Sequence, residues 1–226
     1  MAKKPTEPVW SLLTSRFRAH PWHGVAIGPH APEVVSTYIE IVPADTIKYE
    51  LDKATGILKV DRPQSYSNIC PTLYGLIPQT YCAEQVAELC VSRSGRKGIR
   101  GDGDPLDVCV LSEKSIPRGD ILVTARPIGG LRVIDHHEAD DKIIVVMEGD
   151  ALYGAWRRIA DCPAPLVNRL KHYFLTYKED PNTTASPIEI AAVYDAAEAR
   201  EVVERARADY ARHFPDVEGA LPPPGN

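Results

Sequence analysis

The chain has 226 residues, 44% hydrophobic and 25% charged, which is enough for one good core in an ordinary soluble globular protein. The formal net charge of −5 speaks against a partner that is a nucleic acid, and no apolar run approaches the roughly 18 residues a membrane span requires. Five cysteines, an odd number with no Cys-x-x-Cys pair, argue against a disulfide framework and a zinc knuckle and fit reduced thiols in a cytoplasmic protein.

Met1–Pro8 carries two lysines and no apolar stretch, so no secretory signal is expected. The chain reads as a single domain over 1–226, its core at about 34–214, with flexible ends at about 1–8 and 218–226. Twenty prolines favour short strands and many turns. His20-Pro21-Trp22-His23 offers two potential metal ligands, though surface or interface histidines are the commoner case. Val34–Val42 is β-branched and aromatic and predicts a strand. Ile47–Leu51 alternates apolar and charged residues, Asp52–Gly56 supplies a turn, and Ile57–Val60 returns, which together predict a hairpin. Ser92–Gly98, within the stretch Gln79–Arg100, reads as a solvated loop. Leu106–Leu111, Ile121–Ile128 and Lys142–Met147 predict three more strands. Leu166, Leu170, Tyr173 and Tyr177 form an apolar stripe at helical spacing, as do Val203, Ala206, Tyr210 and Phe214 between Ala196 and His213, where Pro215 stops the helix. Short strands followed by helices indicate an α+β, mainly β fold built on a small closed or half-closed barrel.

The richest chemistry lies in Gly101-Asp102-Gly103-Asp104-Pro105-Leu106-Asp107-Val108, with three carboxylates inside six residues. Glycines let this backbone turn and Pro105 stiffens it, while Leu106-Asp107-Val108 enters a strand with Asp107 on the face opposite Leu106. Carboxylates this crowded repel one another, and divalent cations would offset that repulsion. An EF-hand loop does not fit, because Leu106 and Asp107 stand where a ligand and a glycine are needed.

A second acidic cluster comprises Asp135, Glu138, Asp140 and Asp141, followed by Lys142. Alone, such a cluster is more often a solvated turn, and Lys48, Arg62, Lys142 and Lys178 are each more often surface residues. Together, two acid clusters and several cations suit a site that holds metals and clamps phosphate oxygens.

These residues resemble the soluble family I inorganic pyrophosphatases. Asp102–Val108 matches the signature Asp-x-Asp-Pro-x-Asp, while Glu40, Lys48-Tyr49-Glu50 and Asp61-Arg62 match the family's N-terminal hairpin. Tyr74-Gly75, the spacing of Asp135, Asp140 and Lys142, and Tyr177-Lys178 follow in the family's order, so the resemblance covers roughly Tyr38 to Lys178. It implies a five-stranded OB-like barrel flanked by helices, several Mg²⁺ ions per site and pyrophosphate as substrate. Asp102, Asp107 and Asp140 would bind the activating Mg²⁺, Asp107 bridging toward a second ion. Asp135 and Asp140 would hold a substrate-borne Mg²⁺, Glu50 would help hold a further one, and Glu40 would stand in the outer shell. Asp104 would be the general base. Lys48, Arg62, Tyr74, Lys142, Tyr177 and Lys178 would bind the two phosphates. The resemblance also implies a homo-oligomer: His172 agrees with a histidine of the hexameric members' interface, whereas Thr176 replaces a second one.

Cys70 stands where the family has a tyrosine, next to Pro71. It is expected at the rim of the phosphate site and reactive toward thiol reagents, the alternative being a buried, inert cysteine. From a different function class, a non-catalytic OB-fold module binding single-stranded nucleic acid would share the barrel, but it needs basic grooves that net acidity disfavours. A metal-dependent phosphatase of nucleotides or phosphomonoesters is a further alternative.

Overall fold

A computed structural model of the chain describes residues 18–178 and 188–215. The ends expected to be flexible lie outside these residues. In chain order come β1 (Val35–Ile41), β2 (Ile47–Leu51), β3 (Leu58–Pro63), β4 (Leu73–Leu76), α1 (Glu84–Ser94), β5 (Arg100–Gly101), β6 (Asp107–Leu111) and β7 (Ile121–Asp135). Then follow β8 (Glu138–Ala139), β9 (Lys142–Met147), a short 3-10 turn (Ile159–Asp161), α2 (Ala164–Thr176), β10 (Ile188–Asp195) and α3 (Ala196–His213).

Five strands close a ring. β1 pairs antiparallel with β4 and β4 with β6; β6 runs parallel to β9; β9 is antiparallel to β7, and β7 returns antiparallel to β1. Closure pairs both edges of every barrel strand, which is how small β-proteins avoid exposed edges. The expected OB-like barrel flanked by helices is therefore present.

The strands are apolar on both faces because both faces are covered. Val108 and Val110 join a core with Val86 and Leu89 of α1 and Val202, Val203 and Ala206 of α3. Their neighbours Cys109 and Leu111 join a second core with Leu170, Tyr173 and Phe174 of α2. β9 splits in the same way, Ile143 and Val145 to the first core and Ile144 and Val146 to the second. The helical stripes fall where their spacing predicts, with Tyr177 and Phe214 as the residues capping α2 and α3.

Two differences have local causes. The strand expected to end at Ile128 runs on to Asp135, bending at a register shift between Pro127 and Gly129. Gly130 permits this because a Cβ there would meet the ring of Tyr194 on β10 at 2.5 Å. The loop expected at Ser92–Gly98 is shorter, because α1 runs to Ser94 with Val86, Ala87, Leu89 and Cys90 buried. Its start is held by buried Asp209 of α3, whose carboxylate accepts the N–H groups of Ala83, Gln85 and Val86 at 3.0–3.2 Å.

Candidate functional site

Because β6 and β9 are parallel neighbours, their N-terminal ends lie side by side, with Asp107 opposite Lys142. This places the Asp102–Asp104 loop, which leads into β6, beside Asp140, which leads into β9. Asp135 arrives from the end of β7, Tyr74 from β4, and Tyr177 and Lys178 from the end of α2. The β2–β3 hairpin closes the far side with Lys48 and Glu50. These residues line one cavity of about 190 Å³, together with Glu40, Lys53 and Glu138. Of the residues expected to bind metal or phosphate or to act as base, Arg62 alone lies outside this lining; its guanidinium donates to Asp61 at 2.6 Å.

The aspartate loop is held by its surroundings as well as by its own turn. Gly103 has φ +75°, which favours glycine, and Asp102 accepts the Asp104 N–H at 3.0 Å. The segment before α1 then pins it: Cys82 N–H donates to the Asp104 carbonyl at 2.8 Å, Gly103 N–H to the Cys82 carbonyl at 3.0 Å, and Leu106 N–H to the buried Thr80 hydroxyl at 2.9 Å.

Charge crowding is severe. Burial raises the Asp102 carboxyl well above its ordinary range, and the nearby Asp140 and Asp107 raise it further. Asp140 is likewise raised by burial and by Asp107, although Lys142 opposes the shift. Glu40, on β1, is pushed up to about 8 chiefly by burial, even though it accepts the Leu51 N–H at 2.6 Å. Burial raises the Tyr74 phenol well above its usual value, and Asp107, which accepts its hydrogen bond at 2.6 Å, adds to this.

Lysines interlock with the acids. Lys142 is 2% exposed and donates to Asp140 at 2.5 Å and to Asp107. Burial disfavours its charge, but the two carboxylates outweigh that and raise its pKa well above the ordinary value. Lys178 donates to Asp135 at 2.5 Å, so that Asp135 is held below its ordinary value despite its burial. Lys48 donates to Asp61 at 2.8 Å and lies 3.7 Å from Glu50. Lys53, in the turn between β2 and β3, pairs with Asp104. Sequence reading passes over Lys53, because a lysine in an exposed hairpin turn carries no motif.

The donor set fits hard divalent cations: half-buried carboxylates, of which Asp102 and Asp140 are crowded enough to be pushed toward the protonated form. Among the described residues no three acidic, histidine or thiol side chains converge on one point. The Lys142 ammonium instead stands between Asp107 and Asp140 and supplies the positive charge they require. Glu138 pairs with Arg100 at 2.8 Å on the rim, and Asp141 turns away from the cavity, so the second acidic cluster is not a solvated turn.

The expectation for Cys70 is corrected. It is fully buried in the core beneath α2, its thiol pushed up to about 12 by burial, and it does not line the cavity. The thiol packs in the same buried cluster as Tyr173 of α2. His20 and His23 do not line the cavity either, although His20 shares a hydrogen bond of 3.1 Å with the Lys53 carbonyl. His23 shares a hydrogen bond of 2.8 Å with Tyr210, and its imidazole is pushed down to about 4 by burial and by His20.

A closed five-stranded barrel with an acid-and-lysine pocket at one end defines the OB-like class of enzyme barrel. The model of the inorganic pyrophosphatase family matches residues 37–211, and the chain belongs to that family of hydrolases, whose reaction is the cleavage of inorganic pyrophosphate. It is 52% identical over 200 residues to the inorganic pyrophosphatase of Chlamydia trachomatis serovar L2, covering 87% of this chain and 96% of that protein. It is 38% identical to a soluble inorganic pyrophosphatase of Oryza sativa subsp. indica, over 84% of this chain and 79% of that protein. Among solved structures it is similar to the Thermus thermophilus inorganic pyrophosphatase, with TM-score 0.70 and 30% identity over 84% of this chain and 98% of that one. The nucleic-acid-binding alternative gains no support from these relatives or from a cavity lined by carboxylates. Among the described residues no helix is long and apolar enough to cross a membrane.

Proposed function

We propose that the chain hydrolyses inorganic pyrophosphate to two phosphates by direct attack of water, with Mg²⁺ as cofactor and no covalent enzyme intermediate. The carrying observation is the set Asp102, Asp107 and Asp140, half-buried and mutually repelling, with buried Lys142 among them. Asp102, Asp107 and Asp140 would hold the activating Mg²⁺, Asp107 being shared with a second ion. Asp135 and Asp140 would hold an ion that arrives with the substrate, Glu50 would assist with another, and Glu40 would orient the outer shell. When bound, Mg²⁺ supplies charge neutralisation at the phosphoryl oxygens and makes water more acidic.

The protein groups do the rest. Asp104 accepts the proton of the attacking water, being poised at the cavity beside the proposed metal ligands. Lys48, Lys142, Lys178, Tyr74 and Tyr177 line the cavity and donate to the phosphate oxygens, spreading the charge that builds on the leaving phosphate. Arg62, whose side chain is 37% exposed, joins them by leaving Asp61. A cavity of about 190 Å³ is small for a nucleotide, given that drug-sized ligands occupy ~300–1,000 Å³, and suits a compact anion.

The described barrel and helices are read as one catalytic domain, cytoplasmic as its free thiols suggest, and assembled as a homo-oligomer. Light scattering at micromolar concentration tests the assembly, and a clean monomer contradicts it. The function is tested by phosphate release from pyrophosphate, nucleotides and phosphomonoesters at equal concentration with Mg²⁺. Preferential release from pyrophosphate is expected, and equal or better release from the other substrates contradicts the assignment.

A further inference from the structure

Asp141 lies between Asp140 and Lys142, yet its carboxylate points the other way. Asp140 and Lys142 line the cavity, and an extended segment sends the intervening side chain to the opposite face. There Asp141 meets Arg132 of β7, Nη2 to Oδ2 at 3.3 Å, with both side chains 1% exposed. Tyr194 of β10 donates its phenol to the same Oδ2 at 3.1 Å, and the Arg132 guanidinium lies 5.1 Å from the Tyr194 ring centroid. Arg132 also donates to Glu198 in the first turn of α3 at 2.8 Å, and Arg93 of α1 stands 3.7 Å beyond.

A buried ion pair is a poor source of stability, because desolvating two charges offsets much of their attraction and apolar residues of similar volume often serve as well. This pair also leaves Arg132 Nε and Asp141 Oδ1 without hydrogen-bond partners. Its position supplies a different reason for it. Two adjacent aspartates, Asp140 and Asp141, lead into β9, and a slip of one residue would turn Asp141 into the cavity and send Asp140 and Lys142 to the core. Apolar contacts cannot tell one aspartate from the next, whereas a fixed guanidinium and phenol behind the strand accept only the one that reaches them.

We propose that Arg132 and Asp141, with Tyr194 and Glu198, are positioning residues that lock the register at the start of β9, so that Asp140 and Lys142 face the substrate. The proposal rests on the reading of Asp140 and Lys142 as working parts of the site. Its test is the double variant Arg132→Met/Asp141→Leu, which keeps the volume apolar and removes the discrimination. Thermal unfolding, calorimetric Mg²⁺ binding, kcat and KM are measured beside the wild type. The expected result is a cooperative transition near the wild-type temperature, weaker Mg²⁺ binding, and kcat lower by roughly tenfold to hundredfold, as small misplacements of working groups produce. A variant that unfolds cooperatively with wild-type kcat and wild-type Mg²⁺ affinity overturns the lock and leaves the functional reading intact. A wild type that binds no Mg²⁺ and releases no phosphate overturns the functional reading, and the lock with it. If the double variant does not fold, Tyr194→Phe removes the phenol alone: a several-fold fall in kcat at unchanged unfolding temperature supports the lock, and unchanged kcat and Mg²⁺ affinity overturn it.

Discussion

The two walls of the cavity differ in how firmly they are held. The acid wall grows out of the barrel: Asp107 and Lys142 begin paired strands, and the loop carrying Asp102 and Asp104 is bonded to Thr80 and Cys82. The hairpin wall is a separate two-stranded sheet, β2 and β3, with Ile57 66% and Val60 61% exposed. Two-stranded hairpins are marginal by themselves, and this one leans on the body through Leu51 and Leu58, packed with Trp22 and Leu76. The contrast follows from charge. Like-charged carboxylates stay together only where the fold holds them, whereas Lys48 and Arg62 of the hairpin have Asp61 as a carboxylate partner on the hairpin itself.

That division predicts where substitutions hurt most. Asp107→Ala should lower turnover by roughly 10⁴-fold, the several kcal/mol that a bound metal supplies to the transition state, as read by steady-state phosphate release. Turnover near wild type would remove Asp107 from the acid wall's chemistry. Asp104→Asn should lower kcat by roughly 10²–10⁴-fold, the usual contribution of a general base, while Mg²⁺ affinity stays close to wild type. A parallel loss of Mg²⁺ affinity would make Asp104 a ligand instead.

Glu40 joins the two walls, since it stands on β1 and accepts the Leu51 N–H of the hairpin at 2.6 Å. Its folded pKa, pushed up to about 8 by burial, lies above the ordinary 4.5, so the folded state binds the proton more tightly. The stability this contributes is present below about pH 4 and is lost as pH rises through about 8. In metal-free protein, wild-type stability should fall relative to Glu40→Gln by roughly 4 kcal/mol between pH 5 and pH 8.5, as measured by urea unfolding. Parallel pH profiles would show that Glu40 does not carry this link.

Lys48→Ala, on the hairpin, should lower kcat/KM about tenfold with little change in Mg²⁺ affinity, the loss of one charge-assisted hydrogen bond. A fall in Mg²⁺ affinity would contradict the separation of the walls. The smallest effect belongs to Cys70: native enzyme treated with a thiol reagent at neutral pH should leave Cys70 unlabelled by mass spectrometry, because burial keeps the thiol protonated and out of reach. Ready labelling would place it back at the surface.

What could be read from the sequence was largely the acid wall and the hairpin. Asp102, Asp104 and Asp107 are contiguous, and the charged alternation of Ile47–Leu51 is a local signal. What escaped depended on partners far along the chain. Val86, Leu89 and Cys90 have helical spacing that would have revealed α1, but the cap that starts the helix comes from Asp209. Gly129-Gly130 reads as the end of a strand until Tyr194 is known to fill the space above it. Asp141 looks like one more surface acid until Arg132, nine residues earlier, is found buried against it. Cys70 was placed by analogy with a phenol that reaches the site, whereas a shorter thiol stays within the core.

The most direct test is calorimetric Mg²⁺ titration of three proteins side by side: wild type, Asp107→Ala and Lys48→Ala. Firm carboxylates that hold the metal and a separate hairpin that meets the substrate predict tight binding in the wild type and Lys48→Ala, and its loss in Asp107→Ala. Tight binding that survives in Asp107→Ala, or disappears in Lys48→Ala, would contradict that division.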